Sequence, residues 1–510
     1  MMTIKEIIEC LDVVSLKIPQ SMRRRTIAHL CHNSRAATPT CLFFCKRGAL
    51  VDGHRYAKSA YEKGARYFVV EHEVDLPEDA AIITVKDSSL ALRKLAVVFC
   101  GNPAKGMNLV GITGTKGKTT VALTVYNIAV ASGRKMGYIG TNGIYYNGKV
   151  FETANTTPDC LELQMSLREM KNDGVTDVVI EVSSQALWQE RTYGLSFDIC
   201  AFTNLYEDHI GGVEHPTIEH YRNSKKLLFT DYNAKSIIIN ADCSDSYYMI
   251  DGVHCSDVIT TSAKGNEKCD IFACGSKKSQ SGIRPGVSFT LFSSNSNVAN
   301  IGEHGIDVFI PIPGLYSIEN ALISIAICKK MGIELDFICD QLSRLSIAGR
   351  FEMVELDNRP NTLFVIDYAH NGASLTAVLR SLREYDPKRI IVLFGSVGGR
   401  TFGRRAELGR AAGEHADVII LTSDNPDNDD PTDIIEDIMV GLDGVDKPIY
   451  KIPDRAEAIA KAFEMSEDGD FVLLAGKGHE SYQLICGERK AFSERKILSK
   501  INAKYYLLKI

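Results

Sequence analysis

Seven consecutive residues, Gly114-Thr115-Lys116-Gly117-Lys118-Thr119-Thr120, have the types and spacing that hold phosphate. Glycines let backbone N–H groups converge on an anionic oxygen, a following helix adds the positive end of its dipole, and Lys118 supplies a mobile cation. A hydroxyl from Thr119 or Thr120 can be offered to magnesium. The general phosphate-loop pattern has a glycine five residues before Gly117, where this chain has Ile112, so the match is to a tighter string.

Two further groups fall at the carboxyl ends of apolar runs, where an open α/β sheet presents its ligands. Glu181, in Glu181-Val182-Ser183-Ser184, and His209, in Tyr206-Glu207-Asp208-His209, each offer an atom that can help bind magnesium. Alone, each reads as a surface acid or a satisfied histidine. Downstream of a phosphate loop, the metal reading is favoured.

Elements must position these groups. The apolar run 109–113 leads into the loop, and a helical stretch over 118–131, ended by Gly133, leads out of it. Buried-strand patterns recur at 178–182, 199–202 and 237–240 with helix-length segments between them, which predicts a mainly parallel sheet. Ahead of this lies a small mixed region with strands at 41–44 and 67–70 around a helix at 57–63, closed by Asn102-Pro103. Residues 262–305 are rich in Ser, Gly, Asn and Lys, with Val287, Phe289 and Leu291 alternating, and read as a β excursion or a mobile insert. After a helix near 320–331, a third α/β pattern runs through 363–367, 390–394, 418–421 and 471–474. The expected fold is α/β in three domains: 1–104, a central phosphate-loop ATPase-like domain with a mainly parallel sheet at 105–346, and a Rossmann-like doubly wound domain at 347–510.

The whole chain bounds the chemistry. Its 510 residues suit about three cores, and a formal net charge of −6 gives no basic surface for nucleic acid or an anionic membrane. The amino terminus has acidic residues and no apolar stretch approaching ~18 residues, so a cytosolic protein without membrane insertion is expected. The 14 cysteines are scattered, without metal-ligand spacing, and read as reduced thiols.

Together these strings resemble the Mur ligases, and within them the UDP-N-acetylmuramoyl-tripeptide synthetases of the MurE branch. The resemblance runs along nearly the whole chain: Asn33-Ser34-Arg35, Asp52-Gly53-His54, the phosphate loop, Asn155-Thr156-Thr157-Pro158, Glu181 to Ser184, Tyr221 to Leu228, Gly349-Arg350-Phe351-Glu352, Asp367-Tyr368-Ala369-His370, Asp424-Asn425-Pro426 and Ala475-Gly476-Lys477-Gly478-His479-Glu480. It implies that the first domain grips a uridine nucleotide, the second binds ATP with magnesium, and the third delivers an amino acid. Ser34, Ala49, Leu50 and Val51 would touch the UDP end, and Asn155, Thr156, Thr157, Ser183, Gln189 and Arg191 the muramoyl-peptide part. Asn320 and Arg350 would contact ATP. Lys225 matches a carbamylated lysine, whose reaction with CO₂ turns a cation into an anionic oxygen ligand suited to magnesium. The alternative is a solvated helix lysine like its neighbour Lys226. His32, Asn33 and Gln185 depart from commoner residues.

The implied chemistry converts the D-glutamate carboxylate of UDP-N-acetylmuramoyl-L-alanyl-D-glutamate to an acyl phosphate, which an amino acid's α-amine attacks. Lys118 and Arg350 would neutralise the transferring phosphoryl group, Asp367 and His370 would orient ATP or the reacting groups, and domain closure would exclude water. Asp424, Asn425, Pro426 and the next residue belong to the implied amino-acid pocket, with Gly476, and with Arg400 and Glu480 holding the α-carboxylate and an amine. An arginine after the proline suits meso-diaminopimelate, but here that residue is Asp427, which would repel the distal carboxylate and attract an ammonium. A free diamino acid, L-lysine, is therefore expected, with ornithine or meso-diaminopimelate as alternatives. Asp429 and Asp430 read as a solvated loop with a helix cap near Asp430. A sister ligase for D-alanyl-D-alanine or folylpolyglutamate, or a nucleotide-binding regulator without catalysis, are the competing readings.

Overall fold

The structure is a computed structural model that describes residues 1–48, 51–207, 210–211, 214–399 and 402–507, with side chains to 504. It forms two compact units, Met1–Ile259 and Thr260–Ile510.

The first unit begins with a five-stranded sheet in the order Val13–Lys17, Ala81–Val85, Tyr67–Val70, Cys41–Phe44, His29–Cys31. All neighbours are parallel except the first pair. Strand Cys41–Phe44 is buried along its whole length, which is why it reads as a continuous apolar run. The helix Ser88–Phe99 is capped by the Asp87 side chain, which accepts from the Leu90 N–H at 2.8 Å.

The larger sheet of this unit runs Lys149–Phe151, Gly143–Tyr146, Met136–Gly140, Asp177–Glu181, Asn108–Thr113, Ile199–Phe202, Ser236–Asn240. The last five are mutually parallel and the first two form an antiparallel edge. Chain order reverses beside Asn108–Thr113, so the carboxyl ends of this strand, of Asp177–Glu181 and of Ile199–Phe202 border a crevice. Strand Asn108–Thr113 and helix Lys118–Ala131 flank the loop as expected. Neither strand Met136–Gly140 nor the two edge strands that follow it have a counterpart in the sequence reading.

In the second unit, residues 262–305 are a β excursion: Ile271–Ser281 pairs with Arg284–Ser293, which pairs with Ile306–Ile310. Val287, Phe289 and Leu291 are buried as their alternation requires. The Tyr385 hydroxyl donates to the Gly286 carbonyl at 2.5 Å and Lys278 Nζ to the Glu384 carbonyl at 2.6 Å. These bonds tie the excursion to the following α/β layer, so the boundary between units falls inside the 105–346 segment. That layer orders its strands Glu352–Val354, Leu363–Asp367, Phe471–Ala475, Ile390–Phe394, Val418–Leu421, Ile449–Lys451, parallel except for the first. Helices Gly372–Arg383, Phe402–His415 and Pro431–Met439 pack in succession, and Arg455–Met465 packs with Glu494–Leu507, giving the doubly wound arrangement. None of the 14 cysteines is paired, and among the described residues no helix is long and apolar enough to cross a membrane.

Candidate active site

The phosphate loop is shaped by its neighbours. Gly114 has φ 148° and a Cβ there would lie 1.9 Å from Thr203 Oγ1, so no side chain fits. Gly117, with φ 85°, turns the chain into the helix. Asn204 grips the loop twice: its carbonyl accepts from the Thr115 N–H at 2.9 Å and its side chain from the Lys116 N–H at 2.9 Å. Lys118 Nζ folds back onto the Gly114 and Thr115 carbonyls at 2.9 and 3.1 Å. Lys225, 1% exposed, donates to the Gly114 carbonyl from the other side at 2.8 Å and lies over the Tyr221 ring. Its burial excludes the solvated-lysine alternative.

Glu181 is fully buried and caged by donors. Tyr138 Oη (2.6 Å) and the Thr141 N–H (3.0 Å) bond Oε1, and the hydroxyls of Thr119 (2.8 Å) and Thr141 (3.2 Å) bond Oε2. Of the two loop threonines, Thr119 is thus the one beside Glu181. Burial first, then the Glu181 charge, pushes the Tyr138 phenol well above its ordinary pKa, so it stays a donor. The hard oxygens of Glu181 and Thr119, beside the loop whose glycines Gly114 and Gly117 both take positive φ at the start of helix Lys118–Ala131, fit magnesium and a nucleotide phosphate.

A cleft of about 180 Å³ brings together Lys118, Asn155, Thr156, Ser183, Ser184, Gln185, Arg191, Glu214, His215, Tyr221 and Lys225. Thr157, behind it, donates to the Glu181 carbonyl at 2.7 Å and accepts from the Ser183 N–H at 3.0 Å. Ser183 caps the helix Ser184–Trp188, and Arg191 donates to the Thr157 carbonyl at 3.0 Å and to Gln189 Oε1 at 2.8 Å. Burial pulls the Arg191 pKa down, with Asp159 opposing. The expected muramoyl-peptide residues are therefore one connected surface, with Gln189 reached through Arg191. His215, which the sequence reading passed over, shares hydrogen bonds with Ser184 Oγ at 2.9 Å and His220 Nδ1 at 2.8 Å. His32, one of the departures, bonds Asp159 at 2.9 Å. Against the opposing effect of burial, His32 and the backbone hold that carboxyl down to about 2.

In the second unit, residues 349–351 and the end of strand Leu363–Asp367 interlock. Gly349 has φ 68° and a Cβ there would lie 2.1 Å from the His479 nitrogen. Asp367 accepts from the Phe351 and Ala369 N–H groups at 2.7 and 2.8 Å, and burial raises its pKa while Phe351 and Arg350 oppose. Arg350 lies over the Tyr368 ring, and its buried Nε has no partner among the described residues, a donor that suits an incoming anion. His370 Nδ1 bonds the Tyr368 carbonyl at 2.8 Å. Burial, then Arg404 and Arg350, lower the His370 pKa, leaving a neutral imidazole. Asn320 is buried in the helix Tyr316–Lys330.

The Asp424–Asp427 segment is pinned from three directions. Lys477, fully buried, donates to Asn425 Oδ1 at 2.8 Å and Glu480 Oε2 at 2.7 Å. Gly476, at φ 106°, leaves room for Asp424, whose Oδ2 would be 2.7 Å from a Cβ. Asp427, at φ 53°, accepts from the Gly487 N–H through Oδ1 at 2.8 Å, and the Pro426 carbonyl fits against Gly398. Asp430 caps Pro431–Met439, as its spacing predicted. Asp429 is not a solvated loop acid: it bonds Arg405 at 2.7 Å and the Gly399 N–H at 3.1 Å, because the buried guanidinium needs a counter-charge.

Ala49, Leu50, His209 and Arg400 lie outside the described residues. Ser34 is half-buried in a helical turn and the Val51 side chain is exposed. Among the described residues, Asp52, His54 and His72 form the one group close enough to suggest a metal, but His54 Nδ1 meets Asp52 at 2.6 Å and Nε2 accepts from the Glu71 N–H at 2.9 Å. Both ring nitrogens are used, so this group is structural. Sequence reasoning gave no role to Tyr138 or Lys477. Lys477 lies within the Ala475–Glu480 motif, whereas Tyr138 carries no local signal.

Three family descriptions match in chain order: Mur ligase family, catalytic domain, over residues 26–99; Mur ligase middle domain over 112–328; and Mur ligase, glutamate ligase domain over 349–478. The chain is 36% identical over 474 residues, covering 91% of itself and 92% of the relative, to the UDP-N-acetylmuramoyl-L-alanyl-D-glutamate–2,6-diaminopimelate ligase of Geobacillus thermodenitrificans. It is 37% identical over 471 residues, 92% of each chain, to the ligase of the same name from Aquifex aeolicus. A solved structure described as that ligase matches with TM-score 0.64 at 26% identity, covering 99% of both chains.

Proposed function

The chain belongs to the Mur ligase family, ATP- and magnesium-dependent ligases of peptidoglycan synthesis, and we propose that the amino acid it adds is L-lysine. The coarser reaction is the joining of a diamino acid to the D-glutamate carboxylate of UDP-N-acetylmuramoyl-L-alanyl-D-glutamate. Asp427 carries the lysine reading: a carboxylate at the pocket loop attracts a side-chain ammonium and repels a second carboxylate, with a charged hydrogen bond contributing ~1.5–3 kcal/mol. Oδ1 is held by Gly487, which leaves Oδ2 for the ligand. The names of the relatives favour meso-diaminopimelate as the second reading.

The proposed mechanism assigns work to this chain's own groups. Gly114 to Thr120 hold the ATP phosphates, with Lys118 leaving its loop carbonyls for the transferring phosphoryl group and Arg350 supplying a second cation. Thr119, Glu181, His209 and Lys225 as its carbamate are the assigned magnesium ligands; magnesium, when bound, offsets charge on the phosphates. Asn320 contacts the nucleotide. Ser34, Ala49, Leu50 and Val51 take the UDP end, and Asn155, Thr156, Thr157, Ser183, Gln189 and Arg191 present the D-glutamate carboxylate. Phosphoryl transfer gives an acyl phosphate, and the neutral α-amine then attacks its carbonyl and expels phosphate. Neutral His370 and Asp367 orient the reacting groups. Asp424, Asn425, Pro426, Gly476, Glu480 and Arg400 hold the amino acid. The assigned domains are 1–104, 105–346 and 347–510, acting in the cytoplasm.

A panel of L-lysine, L-ornithine and meso-diaminopimelate, read by phosphate release with UDP-muramoyl-dipeptide, tests the proposal. Preference for lysine is expected. Preference for meso-diaminopimelate would overturn it, and release independent of any amino acid would overturn the ligase reading.

A further inference from the structure

A fully buried ion pair lies behind the amino-acid segment. Arg455 and Glu494 are 1% and 3% exposed, and each begins a helix, Arg455–Met465 and Glu494–Leu507. Arg455 Nε donates to Glu494 Oε1 at 2.9 Å. Its two terminal nitrogens diverge: Nη1 donates to the Ser423 carbonyl at 3.1 Å and Nη2 to the Ala475 carbonyl at 2.7 Å. Ser423 immediately precedes Asp424, and Ala475 immediately precedes Gly476. These carbonyls come from the ends of two strands, Val418–Leu421 and Phe471–Ala475, that have Ile390–Phe394 between them.

Stability alone gives no reason for this arrangement. A cation in the first turn of a helix opposes the helix dipole. A buried ion pair is commonly matched or surpassed in stability by apolar residues of similar volume. Glu494 Oε2 is also buried without a partner among the described residues, which is costly for a group whose role is only to stabilise. What the guanidinium does, and no apolar side chain can do, is fix the spacing of two carbonyls across an intervening strand. Gln483 holds the same turn from its far side, donating to Ser423 Oγ at 3.2 Å and the Asp424 carbonyl at 2.9 Å.

We propose that Arg455 is a positioning residue for amino-acid selection, with Glu494 orienting its guanidinium so that the strand ends carrying Asp424 and Gly476 are held at the spacing the ligand needs. This rests on the reading of the Asp424–Asp427 segment as the amino-acid pocket. Arg455 touches no reacting atom. Its effect reaches the ligand through the backbone of Ser423 and Ala475, and through Lys477, which follows Gly476 and ties Asn425 to Glu480.

The test uses the full chain with R455K and the paired R455M/E494L variant, measuring KM separately for the diamino acid, ATP and UDP-muramoyl-dipeptide, with thermal midpoints alongside. Lysine in place of Arg455 keeps the charge but cannot bridge both carbonyls, so the amino-acid KM should rise about 10- to 100-fold while the other two stay within about twofold. The apolar pair avoids an uncompensated buried charge but leaves the Ser423 and Ala475 carbonyls without their guanidinium donors, so its thermal midpoint should fall while its amino-acid KM shows the same selective rise. Parental amino-acid KM in R455M/E494L, or equal rises for all three substrates in R455K, would overturn the proposal. If the apolar pair fails to fold, R455K decides alone. Absence of amino-acid-dependent turnover in the parent chain, for every diamino acid, would instead overturn the pocket reading and this proposal with it.

Discussion

Replacing Tyr138 by Phe removes one oxygen from the site and leaves its packing volume almost unchanged. The lost hydroxyl is the 2.6 Å donor to Glu181 Oε1, and the carboxylate has no solvent exposure through which water could substitute. A hydrogen bond to a charged group contributes ~1.5–3 kcal/mol, which corresponds to roughly 10- to 150-fold at 1.4 kcal/mol per decade. Thr141 and Thr119 still hold the carboxylate, so the change loosens its orientation without freeing it. Outer partners of metal ligands typically alter metal affinity by about 10- to 100-fold. The magnesium concentration for half-maximal phosphate release should therefore rise about 10- to 100-fold in Y138F, with kcat recovering at saturating magnesium. Because the phenol is held far above its ordinary pKa, the effect should be flat through the alkaline range. A lowered thermal midpoint with unchanged magnesium dependence would refute the reasoning and confine Tyr138 to support of the fold.

Other perturbations separate neighbouring roles. G140A should abolish magnesium-dependent turnover, since its Cβ would lie 2.2 Å from Glu181 Oε1; turnover close to the parent's would contradict the cage. D427N keeps the Oδ1 acceptor for Gly487 and tolerates φ 53°, so its lysine KM should rise about tenfold with little change in thermal midpoint. CO₂ depletion should lower activity and bicarbonate restore it, with a carbamate carbon signal in NMR that K225R lacks. Burial holds the His370 pKa below its ordinary value of 6.5, so the unfolded chain binds this proton more readily. The corresponding stability is present above about pH 6.5 and lost as pH falls toward the lowered folded pKa. The thermal-midpoint difference between the parent and H370N should thus shift in favour of the parent from pH 5.5 to 7.5; a pH-independent difference would exclude the linkage.

What the sequence disclosed follows from range of interaction. Strand Asn108–Thr113, the loop and helix Lys118–Ala131 are specified by contiguous residues, so their placement was legible. So were the buried parallel strands, whose unbroken apolar runs reflect coverage on both faces. The Met136–Gly140 and Gly143–Tyr146 hairpin was hidden because its glycines and tyrosines interrupt any apolar run, although it places Tyr138 and Thr141 on Glu181. Asp429 was misread for a related reason: its partner Arg405 lies 24 residues away. Arg455 and Lys477 likewise meet their partners only after the strands are assembled.

The central claim is that ATP is used to activate a carboxylate for amide formation. UDP-muramoyl-dipeptide carrying oxygen-18 in the D-glutamate carboxylate, incubated with ATP, magnesium and L-lysine, tests it directly, because an acyl phosphate must pass one labelled oxygen to the phosphate that leaves. Labelled phosphate, formed in proportion to a lysine-containing UDP-muramoyl-tripeptide, is the predicted result. Unlabelled phosphate, or phosphate formed without the amide product, would contradict it.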